Sequence, residues 1–303
     1  MPAEIFRKAA IYFRARSFAR LLPFAICDTL DSTRDGGDMQ LTLNGRMVGY
    51  DERGDAAPLL FIHGYPLNRM IWEAQWEGLN HTARVLALDL RGFGESEMVA
   101  GTTALAMYAD DVHEFLQAMA LEQPAVICGL SMGGYVALAY ARKYGAHVAG
   151  LILAHTKATP DSAETKTGRD QSIALAQEKG SAAIAEMMLP KLFASKTYTS
   201  NLELVAQVKR IMESATVPGI VGALSAMRDR PDSLDVLQNL QAPTLIIAGA
   251  DDALMPLAEQ EKMQQAASNS TLVVIPDAGH LSPLEQPDAF NHAVAEFLKN
   301  IAR

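Results

Sequence analysis

The sequence predicts an α/β fold: a mainly parallel sheet with helices on both faces and an inserted helical cap. Three observations predict it. Four short, unbroken apolar runs (Leu59 to Ile62, Val85 to Leu88, Ala125 to Cys128, Leu151 to Leu153) alternate with amphipathic segments of helical length. Strands buried on both faces read in this continuous way, and parallel sheets are built from them. Between about Pro160 and Asp232 the strand runs stop and only helical patterns remain, which predicts an insertion over the carboxyl ends of the strands.

The elements follow in order. Gln40 to Leu43 and Arg46 to Asp51 flank Asn44-Gly45, a strong two-residue hairpin signal. Thr103 to Leu121 is a helix, because Leu105, Tyr108, Val112, Phe115 and Met119 recur at spacings of three and four. Tyr135 to Tyr144 is a second helix. The insertion divides into helices over Thr165 to Gln177, Ala182 to Leu189, Leu202 to Ala215 and Gly219 to Arg228. The alternation resumes with a strand at Thr244 to Ala248, a helix at Leu257 to Ala267, a strand at Leu272 to Ile275 and a last helix at Leu284 to Ile301. The expected domains are a core of residues 39–158 and 233–303 with a cap of residues 159–232.

Residues 1–38 stand apart. Arg7, Lys8, Arg14, Arg16 and Arg20 are interleaved with Ile5, Phe6, Ile11, Phe13 and Phe18, the pattern of a basic amphipathic extension. The apolar run Leu21 to Cys27 is too short, and too interrupted by Pro23, for a signal peptide. Asp35-Gly36-Gly37-Asp38 reads as a linker.

Bulk composition excludes several classes. The chain has 303 residues, 49% of them hydrophobic, enough for one large domain with an insertion. Its formal charge of −9 leaves no basic footprint for nucleic acid. No apolar stretch is long enough for an integral membrane span. The two cysteines, Cys27 and Cys128, form neither a disulfide framework nor a zinc spacing, so a cytoplasmic location without a structural metal is expected. A homo-oligomer stays open.

The chemistry centres on Ser131. Gly129-Leu130-Ser131-Met132-Gly133 joins an apolar strand to a helix, and the flanking glycines let the chain turn sharply enough to hold an exposed, strained serine. A serine hydroxyl needs a base, and the base needs an orienting group. Of the seven histidines, His280 in Asp277-Ala278-Gly279-His280 follows the final strand on a loop; His81, His113, His147 and His292 sit in or beside polar helical stretches. His155, at the end of the strand Leu151 to Leu153, is placed to line a pocket. The acid belongs after Thr244 to Ala248, where Asp251 and Asp252 both stand. His63-Gly64-Tyr65-Pro66 follows the strand Leu59 to Ile62, and His63 reads as a brace of that loop rather than a base.

These motifs resemble the α/β-hydrolase superfamily over Gln40 to the C-terminus. The resemblance rests on His63-Gly64, on Asp89-Leu90-Arg91-Gly92-Phe93-Gly94-Glu95-Ser96, on Gly129 to Gly134, on Gly249-Ala250-Asp251-Asp252 and on Gly279-His280, in the family's order. It implies Ser131 as nucleophile, His280 as base and Asp252 as acid, with the N–H groups of Tyr65 and Met132 as oxyanion hole. Asp89 to Ser96 reads as structural. A phosphate-loop reading of its glycines fails for want of the lysine and hydroxyl.

Within that superfamily the chain is similar to capped carboxylesterases and to the 3-oxoadipate enol-lactonase group, through Ala226 to Asp232 and Gly279 to Pro287. A small or medium acyl ester is the implied substrate, with a carboxylate-bearing lactone, cofactor-free haloperoxidase or perhydrolase chemistry, and a non-catalytic ligand receptor as alternatives. Ser131 argues against dehalogenases and epoxide hydrolases, whose nucleophile is an aspartate, and Leu281 after His280 argues against carbon–carbon bond hydrolases. No cofactor is implied. For the pocket, His155 and the apolar side chains Met187, Met188 and Met227 are expected, and Arg228 or Arg230 as a carboxylate partner, set against hinge salt bridges for the two arginines.

Overall fold

A computed structural model describes residues 39–121 and 123–301. The basic N-terminal segment, its linker and Cys27 lie outside the described residues. Strands β1 (Met39–Leu43) and β2 (Arg46–Arg53) pair antiparallel about Asn44 and Gly45, which take φ of 51° and 78°. The following strands are β3 (Pro58–Ile62), β4 (Arg84–Leu88), β5 (Ala125–Leu130), β6 (Val148–Ala154), β7 (Thr244–Gly249) and β8 (Ser270–Ile275). They form one eight-stranded sheet in the order β1-β2-β4-β3-β5-β6-β7-β8, in which every pairing from β4 to β8 is parallel and β2 is antiparallel to both neighbours. The chain is an α/β-hydrolase fold.

Every residue of β3, β5 and β7 is buried, which is why these runs carry no polar alternation. Alternate side chains still go to opposite faces. Leu60 and Ile62 of β3 join one apolar cluster, Leu59 and Phe61 the other.

Helices α1 (Glu73–Leu79), α2 (Leu105–Ala118) and α3 (Met132–Tyr144) belong to the first half of the fold. Tyr108, Val112 and Phe115 of α2 pack into the first cluster with Val136 and Tyr140 of α3. Trp76 of α1 packs into the second. The insertion comprises α4 (Ala163–Met188), α5 (Thr197–Ser200), α6 (Leu202–Glu213) and α7 (Val217–Arg228), followed by α8 (Leu234–Asn239). Helix α4 is broken at Gly180, with φ 78° and ψ −173°, between the two helices the periodicity predicts there. Helices α9 (Leu257–Ala266), α10 (Ser282–Glu285) and α11 (Pro287–Ile301) complete the chain, and Phe290, Val294 and Phe297 of α11 fill the second cluster.

The expected single last helix is thus two, because Gln286 takes φ −135° and interrupts it. Helices α1 and α8 have no counterpart among the sequence-predicted elements; at seven and six residues each is too short for its apolar spacing to stand out.

The loop from Asp89 to Ser96 is a polar clamp. Asp89 accepts from the backbone N–H groups of Arg69 (2.7 Å) and Glu95 (2.9 Å) and pairs with the Arg69 guanidinium, which also meets Asp51 at 2.7 Å. Arg91 pairs with Asp111, while Gly92 and Gly94 take positive φ. The insertion is tied to loops that leave the carboxyl ends of strands. Thr216 Oγ1 donates to the Gly92 carbonyl (2.9 Å), and the His280 N–H donates to the Leu192 carbonyl (2.8 Å). Among the described residues no helix is long and apolar enough to cross a membrane.

Candidate active site

Strand β5 runs directly into α3 with Ser131 as the only residue between them. Its φ of 53° and ψ of −112° lie in a region that non-glycine residues rarely occupy, so the surrounding packing must hold it there. The packing is visible. A Cβ on Gly129 would stand 2.2 Å from the Gly133 carbonyl oxygen, and one on Gly133 would stand 2.2 Å from that of Ile62. Only hydrogen at both positions lets the turn close against β3. The Ser131 N–H donates to the Ala154 carbonyl at the end of β6 (2.9 Å), and Thr156 Oγ1 donates to the Ser131 carbonyl (2.8 Å). The residue stays half-exposed. Its Oγ has no hydrogen-bond partner among the described residues.

Two backbone donors flank this turn. Met132 opens α3, so its N–H belongs to the first turn and lacks an intrahelical acceptor. Tyr65 sits on the loop after β3, where the next residue toward the N-terminus, Gly64, approaches Ser131 so closely that a Cβ would be 3.3 Å from the serine Cβ. Neither N–H is taken by an acceptor among the described residues. His63 braces the loop: its Nδ1 donates to the Gly64 carbonyl (2.9 Å) and its Nε2 accepts from the Leu90 N–H (3.0 Å).

Asp252 follows β7 and His280 follows β8. His280 Nδ1 donates to Asp252, at 2.9 Å from Oδ2 and 3.1 Å from Oδ1. Oδ1 also accepts from the N–H groups of Leu254 (2.8 Å) and Met255 (3.0 Å). Burial opposes ionisation of this carboxyl, but the facing charge of His280 and the His155 hydrogen bond outweigh it and hold Asp252 far below the usual carboxylate range. With Nδ1 committed to the carboxylate, His280 Nε2 is left as the free ring nitrogen, unpartnered among the described residues. Asp251, the other candidate, is exposed, and its N–H donates to the Ala278 carbonyl (2.9 Å).

His155 occupies a place the sequence did not suggest. Fully buried, it donates from Nδ1 to Asp252 Oδ2 (2.9 Å). Its Nε2 then accepts from Ser282 Oγ (2.6 Å). Burial lowers its pKa, so the ring is neutral. Ligand atoms of His155, Asp252 and His280 lie within 4.8 Å of one another, a spacing that could hold a metal ion, but both histidine Nδ1 atoms already bond the carboxylate. The signal that could have found it is positional: His155 ends a strand adjacent to β5 and β7, between nucleophile and acid.

Residues 59–293 match the Alpha/beta hydrolase family. The chain belongs to that family. It is 28% identical over 247 residues to 3-oxoadipate enol-lactonase 2 of Acinetobacter baylyi, covering 82% of this chain and 90% of the relative. Among solved structures, an esterase from Thermogutta terrifontis with malate bound is 39% identical, with a TM-score of 0.84 over 88% of this chain and 99% of that one. The enol-lactonase from Burkholderia xenovorans LB400 is 26% identical, with a TM-score of 0.79 over 86% and 99%.

In this hydrolase a cavity of about 370 Å³ lies between the insertion and the core, walled by Met187 and Met188 on one side and Tyr65 and Leu254 on the other. Four of the expected pocket residues are not on its wall. Met227 is buried in the first apolar cluster. Arg228 faces outward, paired with Asp170 (2.5 Å) and Asp229 (2.7 Å), and Arg230 bonds the Met227 and Thr159 carbonyls and Asp161. Arg228 therefore ties α7 to α4, and Arg230 joins the two ends of the insertion. His155 lies at the acid, behind the reacting side. The cations that do reach the cavity are Arg169 and Lys191. Gly168, Gln171, Ser172 and Leu175 line the same wall at helical spacing, a stripe too mixed in polarity to announce itself in the sequence.

Proposed function

We propose that this hydrolase cleaves carboxylic esters of small to medium acyl groups through Ser131, His280 and Asp252. One observation carries the reading: a histidine oriented by a buried carboxylate, with its other nitrogen free, lies on loops at the same sheet end as a serine held at φ 53°. Asp252 fixes the tautomer, and His280 Nε2 takes the Ser131 proton as Oγ attacks the ester carbonyl. The unclaimed N–H groups of Tyr65 and Met132 receive the oxyanion. His280 then protonates the leaving alcohol, and water, activated by the same nitrogen, releases the acid from Ser131. No step calls for a cofactor. Residues 159–232 act as the cap, whose Met187 and Met188 offer an adaptable apolar wall to the acyl chain.

A lactone opened by the same steps is the second reading, favoured by the likeness to enol-lactonases and by the cations on the cavity wall. A fluorophosphonate probe should label the wild-type protein and spare Ser131→Ala. Turnover of p-nitrophenyl acetate, butyrate and octanoate should vanish with the same substitution. Labelling or turnover that persists at wild-type level in Ser131→Ala overturns the assignment.

A further inference from the structure

The protein carries a formal charge of −9, yet the cavity wall holds Arg169 and Lys191 and no aspartate or glutamate. Lys191 makes no ion pair with any described residue. Arg169 meets Asp161 at 3.1 Å, but that one carboxylate is also shared with Arg230 (2.8 Å) and Lys157 (3.9 Å). Three cations thus face Asp161, with Glu259 as the next carboxylate acting on Lys157, so cations still outnumber acids behind Arg169. Burial and then the charge of Arg230 lower the half-buried Lys157 amine, against the opposing charges of Asp161 and Glu259.

A third group stands on the same wall. The Tyr65 hydroxyl is buried and has no hydrogen-bond partner among the described residues. Burial pushes its phenol up, so at neutral pH it is an O–H donor in need of an acceptor. The rest of the wall includes Leu175, Met187 and Met188. An acceptor-hungry phenol and two cations beyond an apolar stretch describe a ligand with a hydrocarbon spacer and an anionic end.

We propose that the cavity binds the carboxylate of an ester or lactone whose acyl part ends in an acid group, held by Arg169, Lys191 and the Tyr65 hydroxyl. This rests on the reading that the reacting carbonyl sits at Ser131, because the N–H of Tyr65 faces that carbonyl while its side chain reaches the cavity. A guanidinium gives a carboxylate two parallel donors, and the exposed Lys191 adds charge at the rim.

The test separates binding from turnover. The full chain carrying Ser131→Ala is titrated calorimetrically with monomethyl adipate and with dimethyl adipate at low salt. The monoester should bind at least about tenfold tighter, and adding Arg169→Met or Lys191→Met should shrink that preference. Tyr65→Phe, which keeps the ring, should weaken the monoester more than the diester. Equal binding of the two esters, or a preference that survives both cation substitutions, overturns the anion subsite. Turnover of the same esters by the wild-type chain answers the other question: if neither is cleaved while the monoester preference persists, the ester-hydrolase reading fails and the subsite stands.

Discussion

His155 Nδ1 lies 2.9 Å from Asp252 Oδ2, the oxygen that His280 Nδ1 also meets at 2.9 Å. One carboxylate oxygen thus serves two imidazoles, and Ser282 fixes the outer one from behind. Of the two rings only that of His280 has a nitrogen without a partner among the described residues, so in the proposed mechanism His155 would act through the position and charge of Asp252.

Replacing His155 removes a donor from a buried carboxylate. His155→Ala should lower kcat about tenfold or more with little change in KM, since a hydrogen bond to a charged group is worth about 1.5–3 kcal/mol. His155→Asn should recover part of that loss by restoring an N–H. Steady-state kinetics on one p-nitrophenyl ester decides it; a rise in KM at constant kcat would assign His155 to substrate binding instead.

Asp252→Asn keeps the shape of the site and reverses its hydrogen-bond polarity. Both His280 Nδ1 and His155 Nδ1 would face an amide that can accept on one side only, so His280 is pushed toward the wrong tautomer. The expected fall in kcat is on the order of 10⁴-fold, with the fold retained by circular dichroism. A fall below tenfold would remove Asp252 from the mechanism.

His155 and His63 should shape the pH dependence of stability. Burial lowers both pKa values in the folded state, so between the unfolded value near ~6.5 and the lower folded values the unfolded chain binds more protons. Stability therefore falls as pH drops below that value and is flat with respect to these groups above it. Urea midpoints measured from pH 7.5 down to 5 should decline, and His155→Asn should flatten part of the slope.

Gly133→Ala tests the turn itself. A methyl group there meets the Ile62 carbonyl at 2.2 Å, backbone that cannot step aside cheaply. We expect a loss of about 1–3 kcal/mol or more in the urea unfolding free energy, together with lost fluorophosphonate labelling. Unchanged labelling would show that the strained geometry of Ser131 is dispensable.

Arg69→Met should cost more than a surface substitution. The guanidinium neutralises Asp51 and Asp89 in the interior, and removing it leaves buried carboxylates without their counter-charge. A loss of about 3–5 kcal/mol is expected, read as a drop in thermal midpoint with the activity of the surviving folded fraction little changed.

The sequence alone determined the sheet, the position of Ser131 and the choice of candidate partners, because those depend on local physics. Runs such as Leu59 to Ile62 announce strands buried on both faces, and Gly129 and Gly133 permit a turn that few other residues could make. Tertiary structure decided what depends on residues far apart in the chain. Local physics at Asp251 and Asp252 does not say which carboxyl meets a histidine 28 or 97 positions away, and only the family resemblance pointed to Asp252; the packing of three strand ends sets Asp252 against His280 and brings His155 to it. It also turned Arg228 outward to Asp170 and Asp229 and put Arg169 and Lys191 on the cavity wall. A helix face is legible in sequence when one side is apolar, but which polar residue borders a cavity depends on what packs opposite, and that partner is supplied by the fold.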